Sequence, residues 1–182
     1  MTIVRAHLII KMINYDLTKI KAMAFDVDGV LSDPLVALLG DQPIRTAHTK
    51  DGYVLQLACK SGFKMAIITG GKSEPVRERY ENLGFQDVFM ACHMKIDTLV
   101  SWMDKYKLNA EEVLYMGDDI PDYPVMKKVG CSCCPSDAAH EIQSIATYVS
   151  PFAGGRGCVR DVVEQVLRAQ GFWMAGNEAF GW

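Results

Sequence analysis

The chain has 182 residues, of which 49% are hydrophobic and 23% charged, and its formal net charge at pH 7 is -3. This composition is typical of a globular domain that can bury its own core, and it excludes collagen, coiled coils and intrinsic disorder. The slight acidity gives no electrostatic reason to expect nucleic acid or an anionic membrane as a partner, and no apolar run approaches the roughly 20 residues that span a bilayer.

Residues 1–18 are predicted to form an extension that packs loosely on the domain behind them. The alternative is an early start, with Met12 as a second possible initiator. Residues 1–13 are mildly apolar, but Arg5, His7 and Lys11 interrupt them, and no small-residue cleavage site follows. A secretory signal peptide has an unbroken apolar stretch of ~7–15 residues, so the sequence does not favour one. Because six cysteines occur in a chain that can build its own core, we expect free thiols and a cytoplasmic protein.

Buried strands and amphipathic helices alternate along the rest of the chain. Strands are predicted at 20–27, 64–69, 87–90, 113–116 and 129–135. Helices are predicted at 51–59, 73–84, 95–107, 123–128, 137–145 and 159–169. This alternation indicates βαβ units, and hence a three-layer, Rossmann-like α/β domain over 19–171, followed by a tail at 172–182. For Cys131, Cys133 and Cys134, a place in a buried strand is favoured over metal binding.

Residues 31–50 interrupt the alternation between the first strand and the next helix. Two short runs that contain apolar residues flank a turn at Gly40 and Asp41, a pattern typical of a β-hairpin. An irregular loop is the alternative. About 20 residues are too few for a separate domain, so we expect a hairpin insertion and no second domain over the sheet.

The ends of the predicted strands carry acids, a hydroxyl and an amine. In chain order these residues are Asp26 with Asp28, Thr69, Lys95, and Asp118 with Asp119. Ligands of an open parallel sheet bind outside the carboxyl ends of its strands, so we expect these side chains to share one site. Four carboxylates at one edge repel one another unless a cation offsets their charge. Oxygen ligands without a nearby His or Cys favour Mg²⁺ over zinc.

These motifs resemble those of the haloacid dehalogenase (HAD) superfamily of phosphotransferases. The resemblance rests on residues 26–30 (Asp-Val-Asp-Gly-Val), 68–70 (Ile-Thr-Gly), Lys95, and 117–122 (Gly-Asp-Asp-Ile-Pro-Asp). Within the superfamily, the chain is similar to the capless 3-deoxy-D-manno-octulosonate 8-phosphate phosphatases. That narrower similarity rests on residues 50–53, 124–126, 154–160 and 168–171. It implies a HAD-like fold with a hairpin after the first strand and no cap domain.

The resemblance implies catalytic roles for four side chains. Asp26 is expected to attack phosphorus and form an aspartyl-phosphate. Asp28 is expected to protonate the leaving alcohol and then to activate the water that hydrolyses the intermediate. Thr69 is expected to hydrogen-bond a phosphoryl oxygen, and Lys95 to neutralise charge on the nucleophile and the phosphoryl group.

The same resemblance implies Mg²⁺ as cofactor. Its expected ligands are Asp26, the backbone carbonyl of Asp28, and Asp118. Asp119 is expected to support the metal, either as a ligand or from behind the ligands. The cation shields two like charges, the nucleophile and the phosphate, which have to meet.

Without a cap domain, the site needs another shield from water. The resembling family forms a homotetramer in which the hairpins meet at the centre and the C-terminal tail of one subunit reaches the neighbour's pocket. The implied substrate is a sugar acid phosphate, an anion that needs cationic donors. Candidate substrate-binding residues are Gly70, Lys50, Lys72, Arg156 and Arg160. The alternative for the two arginines is a loop that caps the last helix, with Arg160 on its solvent face.

Gly71 departs from the family pattern. The family often has a long charged residue after the Thr-Gly pair, and this chain has a glycine there. Related nonulosonate 9-phosphate phosphatases differ from the octulosonate enzymes near this position. A nonulosonate 9-phosphate is therefore the alternative substrate.

Two further classes are alternatives to a phosphatase. A signalling receiver domain also combines acids, a threonine and a lysine on a parallel sheet. Receivers have their acid pair at the first strand, whereas here Asp26 and Asp28 come first and the pair Asp118 and Asp119 comes late. The other alternative is a catalytically silent relative that serves as a subunit. The filled catalytic positions argue against it.

Overall fold

The described residues, 12–39 and 42–181 of this computed structural model, contain two β-sheets. In chain order the strands are β1 (Ala22–Phe25), β2 (Ala37–Leu39), β3 (Gln42–Ile44), β4 (Lys64–Ile68), β5 (Asp87–Phe89), β6 (Val113–Met116), β7 (Cys131–Cys134) and β8 (Tyr148–Val149). Six of them form a parallel sheet in the order β5-β4-β1-β6-β7-β8, and β2 pairs with β3 in a separate antiparallel hairpin. The predicted parallel α/β sheet is confirmed.

Helices cover both faces of the six-stranded sheet. In chain order they are α1 (Thr49–Lys60), α2 (Glu74–Asn82), α3 (Lys95–Tyr106), α4 (Tyr123–Lys128), α5 (His140–Ile145) and α6 (Cys158–Ala169). Buried side chains of α1, α2 and α6 belong to one core, and those of α3, α4 and α5 to the other. The predicted three-layer arrangement is therefore confirmed.

The strand sequences build both cores because successive side chains of a strand point to opposite faces. In β1, Met23 and Phe25 face one core, while Ala22 and Ala24 face the other. Both faces are covered, so the central strands β1 and β6 are apolar throughout, as expected for a parallel sheet. The same rule places the three cysteines of β7, which are all buried and form no disulfide. This confirms the expected strand.

Two details of the secondary structure differ from the prediction. Helix α5 begins at His140 rather than at 137, because residues 136–139 form a turn in which the Asp137 carboxylate accepts a hydrogen bond from the Gly154 N–H (2.9 Å). Strand β8 has only two residues, which is too short to produce a periodic pattern in the sequence.

The predicted hairpin insertion is the next pair of strands after β1. Ala37 pairs with Ile44 across it. The large apolar side chains on and beside its strands, Leu35, Leu38, Leu39 and Ile44, are all exposed. The structure contains no cap domain among the described residues, as expected. No described part of this subunit covers these leucines, in contrast to the buried strands of the main sheet.

The ends of the described chain pack on the domain. Ile13 and Leu17 lie in the core of α1 and α6, whereas residues 1–11 of the expected extension lie outside the described residues. In the C-terminal tail, Trp173 packs against that core, and the Tyr53 hydroxyl donates a hydrogen bond to the Ala179 carbonyl. None of the described helices combines the length and apolar character needed to cross a membrane. The predicted boundaries of the domain, with an extension up to residue 18 and a tail from residue 172, stay a prediction.

Candidate active site

Three carboxylates meet at the carboxyl edge of the sheet. β1 and β6 are neighbours with Phe25 opposite Met116, so the residues that follow each strand emerge side by side. One carboxylate oxygen from each of Asp26, Asp118 and Asp122 lies within 4.8 Å of the others. This is a hard, all-oxygen donor set of the kind that binds Mg²⁺. It is the one such group of acids, histidines or cysteines that the described residues form.

Two glycines make room for these acids. Gly29 has φ +80°, and a Cβ atom there would overlap the Asp118 carboxylate. A Cβ on Gly117 would overlap the Asp122 side chain in the same way. Asp118 and Asp122 therefore each lie directly against the backbone of a glycine. These two positions require a residue without a side chain.

Lys95, the first residue of α3, lies between two of the acids. Its Nζ atom is 2.8 Å from Asp26 Oδ2 and 2.7 Å from Asp122 Oδ1, and all three side chains are buried. Burial acts to lower the pKa of Lys95, but the Asp26 and Asp122 carboxylates raise it overall. The lysine is therefore a fixed cation beside Asp26.

The crowding of acids raises the pKa of two of them. Burial and the charge of Asp122 raise the pKa of Asp26 to about 7, against the opposing effect of Lys95. Burial, together with Asp26 and Asp122, raises the pKa of Asp118 to about 8. A single lysine does not offset three carboxylates, so the site favours a further cation.

Asp28 does not join this group. Its carboxylate accepts two hydrogen bonds from Arg45, with Nε–Oδ1 at 2.6 Å and Nη2–Oδ2 at 2.9 Å. The Ser32 hydroxyl also lies 3.3 Å from Asp28 Oδ1. Arg45 follows β3, so the hairpin reaches back over the end of β1 and binds one of the predicted catalytic acids.

Thr69 lies at the end of β4, beside β1. It is buried, and its Oγ1 atom accepts a hydrogen bond from the Gly71 N–H (3.1 Å). Gly70, between them, is exposed. The structure thus presents a hydroxyl and an open backbone turn at the same edge of the sheet as the three acids.

The motif at residues 117–122 contributes an acid to which the sequence analysis assigned no role. Asp122 is fully buried and accepts hydrogen bonds from Lys95, Tyr115 and the Asp118 and Asp119 N–H groups. Asp119 is exposed and is not among the clustered acids. The signal that could have found Asp122 is its place in the quoted motif, three residues after the acid pair.

The predicted substrate-binding arginines have partners within the chain. Arg156 forms a two-point ion pair with Asp33, with Nη2–Oδ2 at 2.7 Å. The Arg160 guanidinium bonds Glu164 at 2.7 Å and lies over the rings of Tyr53 and Trp173. The structure does not bring Arg160 to the acid cluster.

The remaining predicted substrate-binding residues, Lys50 and Lys72, are both exposed. The glycines near Arg156 pack against the loop after β1. A Cβ on Gly154 would overlap the Gly29 carbonyl, and the Gly155 N–H donates to the Val30 carbonyl (2.9 Å). The Gly-rich segment therefore supports the loop that carries Asp28.

Arg45 was also missed by the sequence analysis. It lies in a segment without a recognisable motif, and only the path of the hairpin brings its guanidinium to Asp28. A Cβ on Gly71 would lie 2.9 Å from Arg45 Nη2. The glycine that departs from the family pattern therefore leaves room for the arginine.

Comparison with known proteins identifies relatives of this chain. Residues 87–159 match a family model described as haloacid dehalogenase-like hydrolase. The chain is 38% identical over 153 residues to the 3-deoxy-D-manno-octulosonate 8-phosphate phosphatase KdsC of Escherichia coli K12, which covers 84% of this chain and 81% of the relative. The chain therefore belongs to this family of HAD-like phosphatases.

Solved structures of the family share the fold. The structure of the Yersinia pestis octulosonate 8-phosphate phosphatase matches with a TM-score of 0.83 and 32% identity, over 86% of this chain and 85% of that one. The Moraxella catarrhalis phosphatase, solved in complex with magnesium ion, phosphate ion and a KDO molecule, matches with a TM-score of 0.82 and 30% identity, over 86% and 90%. Membership in this family excludes the receiver-domain alternative.

Proposed function

We propose that the protein is a Mg²⁺-dependent phosphatase that releases phosphate from 3-deoxy-D-manno-octulosonate 8-phosphate. The proposal rests on one observation: in a member of this family, a buried lysine touches Asp26 beside a cluster of three carboxylates. This arrangement combines a nucleophile, a fixed cation and a place for a second cation. Phosphoryl transfer depends mainly on positioning and charge neutralisation of this kind.

The metal fits the acids of this site. Asp26 and Asp118 would hold Mg²⁺ with the backbone carbonyl of Asp28, and their raised pKa values mark a site that lacks positive charge. When bound, the ion supplies charge neutralisation between the carboxylate and the phosphate. Asp122 is better placed than Asp119 to support the metal site. It is buried, and its carboxylate accepts hydrogen bonds from Lys95 and from the Asp118 N–H.

Asp26 is the proposed nucleophile. Its Oδ1 atom accepts a hydrogen bond from the Val27 N–H (2.7 Å), and its Oδ2 atom faces Lys95. One carboxylate oxygen attacks phosphorus while the bond from phosphorus to the sugar oxygen breaks, which forms an aspartyl-phosphate and the sugar alcohol. Water then attacks the intermediate and regenerates Asp26.

Asp28 is the proposed acid and base. In the first step it gives a proton to the leaving sugar oxygen, and in the second step it takes a proton from the attacking water. Asp28 therefore ends the cycle in the protonation state in which it began. Thr69 and the backbone at Gly70 are proposed to donate hydrogen bonds to the phosphoryl oxygens. Lys95 offsets the negative charge that develops there.

The exposed hairpin supports a homotetramer. Leu38 is 80% exposed and Leu35 82%, and an apolar group of this size on a protein surface is typical of an interface. We propose that the hairpins of four subunits pack together. Arg156 and the tail would then act at a neighbour's site, and Arg160, Lys50 and Lys72 stay candidates for substrate contact. None of the six cysteines forms a disulfide, which supports a cytoplasmic location.

The substrate assignment has one specific alternative. Gly71 removes a side chain from the position near which the octulosonate and nonulosonate phosphatases differ. A nonulosonate 9-phosphate is therefore the second candidate substrate. A silent subunit is disfavoured because Asp26, Asp118 and Lys95 are all in place.

A phosphate-release assay tests both assignments. The protein with Mg²⁺ is given octulosonate 8-phosphate and, separately, a nonulosonate 9-phosphate, and we expect the higher kcat/KM on the former. Asp26→Asn should lower kcat by several orders of magnitude. The circular dichroism spectrum of this variant should match that of the wild type. Absence of turnover on either substrate would support a silent subunit, and normal turnover by the variant would exclude Asp26 as the nucleophile.

A further inference from the structure

Tyr115 brings a hydroxyl into an otherwise largely apolar core next to the acid cluster. It lies in β6, opposite Ala24 of β1 and Ser132 of β7. The residue is completely buried and belongs to the core of α3, α4 and α5. A hydroxyl buried in such a core is costly unless it is hydrogen-bonded. A phenylalanine ring would fill nearly the same space without that cost, so the hydrogen-bond partner of the hydroxyl distinguishes this position.

That partner is Asp122. The Tyr115 hydroxyl donates to Asp122 Oδ1 at 2.6 Å, and Lys95 Nζ donates to the same oxygen at 2.7 Å. The other oxygen, Oδ2, accepts hydrogen bonds from the Asp118 and Asp119 N–H groups. Oδ1 therefore connects an aromatic ring, which the core holds in place, to a lysine chain that is flexible by itself.

The position of the Lys95 ammonium determines what it can do in the reaction. A lysine ammonium has three N–H donors. One contacts Asp26 Oδ2 at 2.8 Å, and a second contacts Asp122 Oδ1. When both contacts are fixed, the direction of the third N–H is fixed as well. The positive charge then stays beside the proposed nucleophile.

We infer that Tyr115 is a positioning residue for phosphoryl transfer, which holds Asp122 Oδ1 and, through it, the Lys95 ammonium beside Asp26. The inference rests on the proposed function, because it assigns Tyr115 a task in the same reaction. Tyr115 acts through Lys95 and does not itself touch the phosphate. A supporting side chain that is locked by packing keeps a catalytic group in its productive geometry, and a small displacement of that group lowers the rate strongly.

The chain contains a second cluster of the same three residue types, which supplies the control. The Tyr106 hydroxyl donates to Asp87 Oδ2 at 2.7 Å, and Lys105 pairs with the other oxygen of Asp87. Asp87 is the first residue of β5. In a parallel sheet this places the second cluster at the amino edge, away from the acid cluster at the carboxyl edge.

The test replaces each tyrosine by phenylalanine in the full-length protein with Mg²⁺. We expect Tyr115→Phe to lower kcat about tenfold on octulosonate 8-phosphate and on p-nitrophenyl phosphate, with KM values within about twofold of the wild type. The loss should be equal on both substrates, because Lys95 acts on the phosphoryl group that they share. Tyr106→Phe should keep kcat within about twofold of the wild type.

A double-mutant cycle separates positioning from packing. Lys95→Gln removes the ammonium that Tyr115 is inferred to position. In the Lys95→Gln background, Tyr115→Phe should therefore lower kcat no further, which is a non-additive result. An unchanged kcat in the single variant Tyr115→Phe would overturn the inference. A tenfold loss with and without Lys95 would overturn it as well.

Melting temperatures show whether the variants fold. Tyr115→Phe keeps the ring, and Asp122 Oδ1 keeps Lys95 as a donor, so we expect it to melt within about 10 °C of the wild type. Loss of the fold in Tyr115→Phe would make the hydroxyl a structural group and overturn the inference. Each of these results leaves the proposed function standing. A wild type that hydrolyses neither substrate would overturn the proposed function, and the inference with it.

Discussion

Asp122 is the residue on which the other groups of the site depend. It is completely buried, and its two oxygens accept hydrogen bonds from Lys95 (2.7 Å), Tyr115 (2.6 Å) and the N–H groups of Asp118 and Asp119. A buried carboxylate is tolerated when its hydrogen-bonding capacity is used in this way. Asp122 thereby fixes both the lysine beside Asp26 and the backbone that carries Asp118.

Replacement of Asp122 should therefore affect stability as well as activity. We expect Asp122→Ala to lower the free energy of unfolding by about 3 kcal/mol, because it leaves the buried Lys95 with one carboxylate partner instead of two. Urea denaturation measures the change. Asp119→Ala, at the exposed neighbouring acid, should change stability by no more than about 0.5 kcal/mol. Equal effects of the two replacements would contradict the role given to Asp122.

At the scale of the elements, the site depends on how closely the loops after β1 and β6 approach each other. Gly29, in the loop after β1, lies against the carboxylate of Asp118, in the loop after β6. The Gly154 backbone also lies against Gly29. The loop is therefore held between the acid cluster and the Gly-rich segment before α6.

Gly29→Ala should displace Asp118 and weaken Mg²⁺ binding. The matched control is Gly62→Ala, because Gly62 also has a positive φ (+92°) but has open space where the Cβ would lie. The control should lose only the ~1–2 kcal/mol of a left-handed alanine. We expect Gly29→Ala to lose phosphatase activity and Mg²⁺-dependent thermal stabilisation in addition. Equal loss of activity in both variants would exclude the close packing on Asp118 as the cause.

At the scale of the whole molecule, the hairpin is the feature that one subunit does not explain. Leu38 and Leu39 are exposed although they lie on a paired strand. If four hairpins pack together, Leu38→Lys should break the assembly into smaller species, because it introduces a charge into an apolar contact. Light scattering after size exclusion measures this. Val100→Lys, at an exposed apolar residue of α3, should leave the mass unchanged. A wild-type monomer would contradict the tetramer.

The metal-free protein should become less stable as the pH rises. Asp26 and Asp118 have pKa values of about 7 and about 8 in the folded protein, and both are near 4 in an unfolded chain. Between these values the folded state binds more protons than the unfolded state, so the free energy of unfolding falls with rising pH. We expect a lower melting temperature in EDTA at pH 8.5 than at pH 6, and recovery with Mg²⁺ at pH 8.5.

The control for this experiment is Asp118→Asn, which removes one of the crowded carboxylates. Its melting temperature in EDTA should depend less on pH, and it should respond less to Mg²⁺. An identical pH dependence in the variant and the wild type would assign the effect to groups outside the acid cluster.

The sequence by itself determined the layered fold and the residues at the strand ends. Alternating apolar strands and helices allow few arrangements other than a covered parallel sheet, and such a sheet brings together whatever follows its strands. Asp26, Thr69, Lys95 and Asp118 were predicted from these positions. Of these, Asp26, Lys95 and Asp118 belong to one network of contacts, and the hairpin after β1 was predicted from its turn.

Only the tertiary structure decided which charges touch. Asp122, and not the predicted Asp119, belongs to the acid cluster. The short turn after β6 directs Asp122 inward and leaves Asp119 exposed. Arg45 reaches Asp28 because the hairpin folds back over Gly71. Periodicity and motifs specify which face of an element is buried. The distance between two side chains that are far apart in sequence depends on loop paths and packing, which no local pattern encodes.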